Sequence, residues 1–145
     1  MIRRATVDDA EAIARVHVAT WQFAYAEIVD PAVLARRDVA ERSALWRRVL
    51  AEGRAPVWVA EGGGRVVGFA EVDDGRLVAL YVDPVAQGAG VGTRLLAEAE
   101  AAGGAELEVF EANGHGRRFY EARGWRDAGP AGEHHGRPVR KYVRP

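Results

Sequence analysis

A run of closely spaced glycines stands directly after an apolar segment of the sequence. Gly88, Gly90 and Gly92 follow the residues LYVDP, and a helical pattern of apolar residues begins within the glycines. The first amides of a helix lack internal partners and lie at the positive end of the helix dipole, so they attract anions. Glycine permits positive φ and lets the backbone approach phosphate oxygens closely. The arrangement predicts a phosphate or pyrophosphate site.

Two other phosphate-binding motifs fit this segment less well. A nucleoside-triphosphate P-loop carries Lys and then Ser or Thr after its last glycine, whereas Thr93 and Arg94 follow Gly92 here. A dinucleotide fingerprint has the spacing GxGxxG and opens the first strand-helix unit of the chain, which this segment does not. The purely structural alternative is a glycine-rich turn that binds no ligand.

Composition narrows the class of protein. The 145 residues suffice for one domain over residues 1–145, and 48% apolar against 28% charged residues is typical of a folded chain. The net charge of −1 predicts no nucleic acid or membrane partner. There is no cysteine, so a cysteine nucleophile and thiolate metal sites are excluded. We expect a cytoplasmic protein without a metal, since the N-terminus lacks the apolar run of a signal peptide.

The elements that must position the glycine run form an α/β pattern. A strand at 2–5 precedes a helix that extends to about Trp21, and a second helix is predicted over 38–51 with Ala44, Leu45 and Val49 inward. Strands follow at 56–60, 65–72, 77–82 and 105–110, and the last two flank a helix over 90–101 with Val91, Leu95, Leu96 and Ala99 on its inner face. A short helix at 116–123 and strands near Trp125 and over 139–143 close the chain. The nearly unbroken apolar run LVALYV predicts a central strand buried on both faces.

Two motifs in this order resemble the GNAT superfamily of N-acetyltransferases. The first is Gln87-x-x-Gly90-x-Gly92 after LYVDP, and the second is Asn113 followed by Phe119-Tyr120-Glu121 and Gly124-Trp125. The opening segment IRRATVDDAEAIARVHVATW is also similar to small bacterial members, so the resemblance covers nearly the whole chain. It implies a single-domain fold with a mixed, mostly antiparallel sheet that is splayed at its centre and flanked by helices.

The resemblance also implies an activity and a set of site residues. Acetyl-CoA would serve as cosubstrate, and an acetyl group would pass directly to a primary amine of a small molecule or peptide in a ternary complex. Tyr120 would be the general acid that protonates the leaving thiolate, although its aromatic neighbours also fit a core cluster. The segment around Trp21, Phe23 and Tyr25 would line the acceptor pocket, with Glu27 near a cationic amine, although core packing fits these aromatic residues equally well. The implied cofactor-binding residues are Leu80, Tyr81, Val82, Gln87, Gly88, Ala89, Gly90, Val91, Gly92, Thr93 and Asn113.

The sequence departs from this family at two positions. Some members carry a Glu as general base on the central strand where this chain has Arg76, and Gly116 replaces a usual Ala in the second motif. Glu71 is the candidate base from the residues themselves, and a solvated strand position is its alternative. A domain that binds acyl-CoA without turnover therefore stays open, as does a homodimer.

The four histidines are predicted to do no chemistry. His17 falls on an apolar helix face, which favours packing, and His115 lies in a loop near the second motif. His134 and His135 lack companion ligands at metal spacing, so a solvated turn is expected there. Two roles are open for Arg117 and Arg118: they could contact the phosphates of the cofactor, or they could simply cover the surface of a helix N-terminus.

Overall fold

A computed structural model describes residues 1–36 and 38–145 of the chain. The strands are β1 (Ile2–Arg4), β2 (Val57–Gly62), β3 (Arg65–Asp73), β4 (Arg76–Val82), β5 (Glu106–Phe110), β6 (Arg126–His134) and β7 (Arg137–Val143). The helices are α1 (Ala10–Ala24), α2 (Pro31–Ala35), α3 (Val39–Glu52), α4 (Val91–Ala101) and α5 (Gly114–Glu121). The predicted elements are present, and α2 is an additional short helix.

The strands form one sheet in the order β1-β2-β3-β4-β5-β7-β6. Every neighbouring pair is antiparallel except β4 and β5, which are parallel and joined through α4. A parallel pair needs such a crossover, because the chain must return to the same end of the sheet. The predicted mixed, mostly antiparallel sheet with flanking helices is confirmed.

The sheet splays between β4 and β5. Arg76 and Glu106 are the registered pair between these two strands, whereas β3 and β4 pair from Gly68–Val82 to Asp73–Arg76. The register of β3 and β4 shifts between Glu71 and Val72, so β4 contains a bulge that bends it. The strands diverge from residue 76 towards residue 82, and the predicted central splay is confirmed.

The position of β4 in the sheet is as predicted, but its burial is not. It is the fourth of seven strands, yet Leu77 is its one fully buried residue and Val78 is 52% exposed. The strand has lost its partner on one side over most of its length. Leu80 and Val82 pack against the core of one face and Ala79 and Tyr81 against that of the other, but all four stay only half-buried beside the cleft. An apolar run alone cannot distinguish a strand beside a cleft from a strand in a closed core.

The core is divided between the two faces of the sheet. On one face α4 packs its buried residues Val91, Leu95, Leu96 and Ala99 against the sheet, as the sequence predicts. On the other face α1 and α3 cover Val59 and Phe69. Among the described residues, none of the helices has the length and apolar content needed to cross a bilayer.

Helix α3 turns to the core a side that only partly matches the prediction, because Val49 packs against the core as predicted but Ala44 does not. Its buried residues are Ser43 and Trp46, whereas Ala44 is exposed. The large indole of Trp46 packs against Phe69 of β3 with ring centroids 5.1 Å apart. Burial of an indole removes far more apolar surface from water than burial of an alanine, so Trp46 decides the rotation of the helix.

Candidate active site

A cavity of about 1160 Å³ fills the space between the diverging strands. Its walls come from the end of α1, from β4 and β5, from the glycine loop with the start of α4, from α5, and from the turn between β6 and β7. The two ends of the cavity differ in chemistry. We call the glycine-loop side the phosphate end and the side around Trp21, Tyr25 and Phe110 the aromatic end.

Most residues predicted for the cofactor lie on this cavity. The walls include Leu80, Tyr81, Val82, Gln87, Gly88, Gly90, Val91, Gly92, Thr93 and Asn113, while Ala89 is absent from them. Tyr120, Trp21 and Tyr25 also line it. Glu71 and Glu27 do not, so the structure does not bring these two carboxylates to the cleft.

The backbone at the phosphate end leaves amide groups without helical acceptors. Gly88 and Gly90 adopt φ of 88° and 79°, a region that favours glycine, and Gly90 precedes the first residue of α4. The first hydrogen bond of the helix runs from Arg94 N to Gly90 O at 3.1 Å. The amides of the residues just before Arg94 therefore lie at an open helix start, where an anion can accept from them.

Gly92 has a different reason to be glycine from the one its spacing suggests. The sequence suggested that glycine at this position permits positive φ or close approach to phosphate, but the backbone of Gly92 is helical and its φ is not positive. A Cβ there would lie 3.2 Å from the ring of Phe119 on α5. The residue thus allows α4 and α5 to approach each other, a contact between distant segments that spacing alone does not reveal.

Two side chains fix the loop from either end. Gln87 Nε2 donates to the carbonyl of Val82 at 3.1 Å, which ties the loop to the end of β4. The hydroxyl of Thr93 accepts from Nε and Nη2 of Arg123 at 2.9 and 2.7 Å, and the guanidinium lies 3.8 Å from the centroid of the Phe119 ring. Arg123 thereby places a positive charge at the phosphate end. No local pattern in the sequence pointed to this residue.

Asn113 caps the short helix that carries Tyr120. Its Oδ1 accepts from the amide of Gly116 at 3.0 Å. A Cβ at position 116 would lie 2.6 Å from Nδ2 of Asn113, closer than side-chain atoms ever approach. An alanine at position 116 would therefore displace the amide group of Asn113, whereas glycine leaves room for it.

Tyr120 is half-buried, with its ring against an aromatic cluster. The ring centroids of Phe119, Trp125 and Tyr142 lie 5.2, 5.9 and 6.5 Å away. Burial raises the pKa of the Tyr120 phenol, and the nearby Tyr81 phenol raises it further. The phenol therefore keeps its proton near neutral pH and is available as a donor.

The aromatic end is built from rings of α1, β4 and β5. Trp21 and Tyr25 are 4.7 Å apart between centroids, and Phe110 lies 6.2 and 5.1 Å from them. Burial raises the pKa of Tyr25 and that of Tyr81, so both phenols stay neutral. Phe23 at the end of α1 is 67% exposed and also lines the cavity.

Three polar side chains join this end of the cavity, and the sequence analysis assigned a role to none of them. Glu108 of β5 lies between Arg76 of β4 and His134 of β6, with N-to-O distances of 3.3 and 3.1 Å. His134 and His135 are exposed at the turn, as predicted, but both also line the cavity. His135 packs edge-on against Trp21 at 5.7 Å, which brings the β6–β7 turn over the end of α1.

Glu71 and Glu27 have other surroundings. Glu71 is half-buried on β3, and burial and the charge of Asp73 raise its pKa while Arg54 lowers it. Glu27 lines a smaller neighbouring cavity of about 330 Å³, together with Asn113 and His115. The carboxylate predicted as base thus lies away from the cleft, and the carboxylate predicted for the amine lies beside it.

The contacts of His17 and Arg117 indicate what these two candidate residues do. His17 is packed among rings and accepts from Trp46 Nε1 at 3.3 Å, which agrees with a packing role. Arg117 donates to Tyr142 Oη and to Glu111 O, each at 3.0 Å, and does not line the cavity. It holds α5 to the sheet. Within residues 1–36 and 38–145, His, Asp and Glu side chains form no group suited to a metal ion.

Comparison with known proteins agrees with this geometry. The acetyltransferase (GNAT) domain family matches residues 26–143. A probable N-acetyltransferase of Mycobacterium tuberculosis is 31% identical over 137 residues, which cover 84% of this chain and 77% of that protein.

Solved structures share the fold at lower identity. The apo form of YjaB from Escherichia coli has a TM-score of 0.76 and 24% identity, covering 99% of this chain and 95% of its own. PaiA N-acetyltransferase from Thermoplasma acidophilum, in complex with coenzyme A, has a TM-score of 0.75 and 21% identity, covering 97% of this chain and 96% of its own. YncA from Salmonella typhimurium, with acetyl-CoA, has a TM-score of 0.72 and 24% identity, covering 98% of this chain and 91% of its own. With a matching domain over most of its length, the chain belongs to the GNAT family of acetyltransferases.

Proposed function

We propose that this protein transfers an acetyl group from acetyl-CoA to a primary amine, directly and in a ternary complex within one cytoplasmic domain over residues 1–145. The observation that carries the proposal is a single cavity that connects an anion-binding helix start to a separate aromatic end. Such a cavity can hold a phosphate-bearing donor and an acceptor at the same time.

The residues at the phosphate end fit acetyl-CoA. Open amides at the start of α4 and the cation of Arg123 suit a pyrophosphate, and the positive φ of Gly88 and Gly90 keeps side chains out of the loop. The unpaired edge of β4 at Leu80, Tyr81 and Val82 can hydrogen-bond the pantetheine, and Asn113 lies on the same cavity. Acetyl-CoA would supply an activated acetyl thioester.

Tyr120 supplies the proton that the leaving sulfur needs. It lines the same cavity as β4, and burial raises the pKa of its phenol, so it is protonated before transfer. Glu71 does not line the cavity, so it would act as base only through water. At the aromatic end, Trp21 and Tyr25 would contact the acceptor, and Glu27 beside the mouth would favour a cationic one.

Release of free thiol from acetyl-CoA tests the proposal. We would measure it with spermidine, lysine and peptides beginning with Ala or Ser as acceptors, and identify the product by mass spectrometry. In parallel, acetyl-CoA should raise the melting temperature, because a hundredfold excess over Kd stabilises the native state by ~2.7 kcal/mol. ATP, which lacks the pantetheine arm, is the control and should stabilise much less.

A domain that binds acyl-CoA without turnover is the alternative outcome. It predicts the same thermal shift but no thiol release with any amine. An equal shift with ATP would contradict both functions, because it would mean that the phosphate end does not select this cosubstrate.

A further inference from the structure

Glu108 links two strands of the splay to the β6–β7 turn. One of its carboxylate oxygens lies 3.3 Å from Nη2 of Arg76, and the other lies 3.1 Å from Nε2 of His134. All three residues line the cavity. The distance to His134 is that of a hydrogen bond, so the carboxylate holds the imidazole in a defined orientation.

The side of the sheet on which Glu108 lies follows from strand alternation. Leu107 and Val109 are buried in the cluster beneath α4. Successive residues of a strand point to opposite faces, so Glu108 shares the other face with Phe110. Phe110 packs against Trp21 and Tyr25, which places Glu108 on the aromatic end of the cavity.

The chemistry of the pair fixes which imidazole nitrogen is free. An ionised carboxylate only accepts hydrogen bonds, so Nε2 of His134 must donate to Glu108. In the neutral ring Nδ1 then carries the lone pair. The serine-protease triad uses the same principle with the nitrogens exchanged, since there the carboxylate accepts from Nδ1 and Nε2 is the base. We propose that Nδ1 of His134 takes the proton from the acceptor amine, and that Glu108 is its positioning residue. The inference rests on the proposed function and names the missing base of that reaction.

The other charges around His134 support a fixed pair. Arg76 holds the second oxygen of Glu108, and Arg137 is registered opposite His134 across the turn. The neighbouring His135 packs on Trp21 at 5.7 Å and anchors the turn to α1. Arg76 thus forms an ion pair with the carboxylate of the next strand.

The protons of the reaction balance with this assignment. An alkylammonium acceptor loses two protons as the new C–N bond forms and the C–S bond breaks. One proton passes to Nδ1 of His134 and then to solvent. The other replaces the proton that Tyr120 gives to the sulfur, so the net products are the amide, the thiol and one released proton.

Chemical rescue tests the role of His134. The acceptor is the amine of the panel above that the wild-type protein acetylates fastest. His134→Ala should lower kcat/KM at least tenfold, since a general base contributes ~10²- to 10⁴-fold and water substitutes in part. Acetyl-CoA affinity and melting temperature should stay unchanged, and added imidazole should restore activity. Glu133→Ala, at the exposed residue before His134 and off the cavity walls, is the matched control and should keep its activity with or without imidazole.

A second readout needs neither acceptor nor turnover. Nitrogen NMR of the free protein at pH 8 should show His134 as the Nε2–H tautomer, and Glu108→Ala should yield a mixture of tautomers. An Nδ1–H tautomer in the wild type would overturn the inference. So would full activity of His134→Ala, or a loss in Glu108→Ala with none in His134→Ala, which would make the carboxylate itself the base. All three results leave the acetyltransferase assignment intact, because that assignment depends on thiol release by the wild type.

Discussion

At the scale of single residues, Tyr120 carries the most specific expectation. Its ring is held by Phe119, Trp125 and Tyr142, so Tyr120→Phe removes one oxygen and keeps the packing. If the phenol protonates the thiolate, kcat should fall at least tenfold with little change in acetyl-CoA affinity, because general acid catalysis is worth ~10²- to 10⁴-fold. Steady-state kinetics and a melting curve on the same variant measure both effects.

Tyr142→Phe is the matched control for that change. The Tyr142 hydroxyl donates to Glu121 at 2.5 Å and accepts from Arg117, and the residue is fully buried away from the cavity walls. Its loss should reduce the free energy of unfolding by ~1–3 kcal/mol and leave kcat unchanged. An unchanged kcat in Tyr120→Phe, with chemistry shown to be rate-limiting, would exclude Tyr120 from the mechanism.

At the scale of elements, the glycine loop and α4 act together, because the loop conformation exposes the amides at the helix start. Gly90→Ala places a side chain at φ 79°, so the loop must strain or move. Loss of one amide hydrogen bond to a charged phosphate oxygen costs ~1.5–3 kcal/mol, which weakens acetyl-CoA binding about tenfold or more. Titration calorimetry measures the change in Kd.

Gly53→Ala separates backbone strain from loss of the binding site. Gly53 ends α3 at φ 62°, has open space around its Cβ position and does not line the cavity. Both variants should lose a similar stability of ~1 kcal/mol, but Gly53→Ala should bind acetyl-CoA normally. Equal affinities in the two variants would show that the phosphates are held elsewhere.

At the scale of the whole molecule, His17 couples the packing of α1, α3 and the sheet to pH. Burial lowers its pKa to about 4, and the charge of Arg42 adds to the effect. The unfolded chain takes up a proton near pH 6.5, whereas the folded protein does so only near pH 4. The free energy of unfolding should therefore fall as pH drops from about 6.5 to about 4, by ~1–3 kcal/mol from this residue.

Urea unfolding of His17→Gln as a function of pH checks this sign. The amide can still accept from Trp46, so the variant should fold, and its stability should depend less on pH between about 6.5 and about 4. Above pH 6.5 the two curves should run parallel. Glu71, whose pKa is raised, acts in the opposite direction, so the difference between the two proteins is the quantity to compare. Identical slopes below pH 6.5 would contradict the prediction.

The sequence alone determined the features that depend on neighbouring residues. The inner face of α4, with Val91, Leu95, Leu96 and Ala99, follows from the helical period. The order of strand, glycine loop and helix was also readable, because it occupies one continuous segment. These features needed no knowledge of the distant chain.

Only the tertiary structure decided which distant groups meet. The apolar run of β4 does not reveal that the sheet opens beside it, and the spacing of Gly92 does not reveal its contact with Phe119. No local pattern distinguishes Glu108, which lines the cavity, from Glu71, which does not. The contact of Glu108 with His134 requires the strand order and the curl of the β6–β7 turn. The physical reason is that secondary structure is set by the period of a few adjacent residues, whereas a site at a splayed sheet is set by packing between elements far apart in the chain.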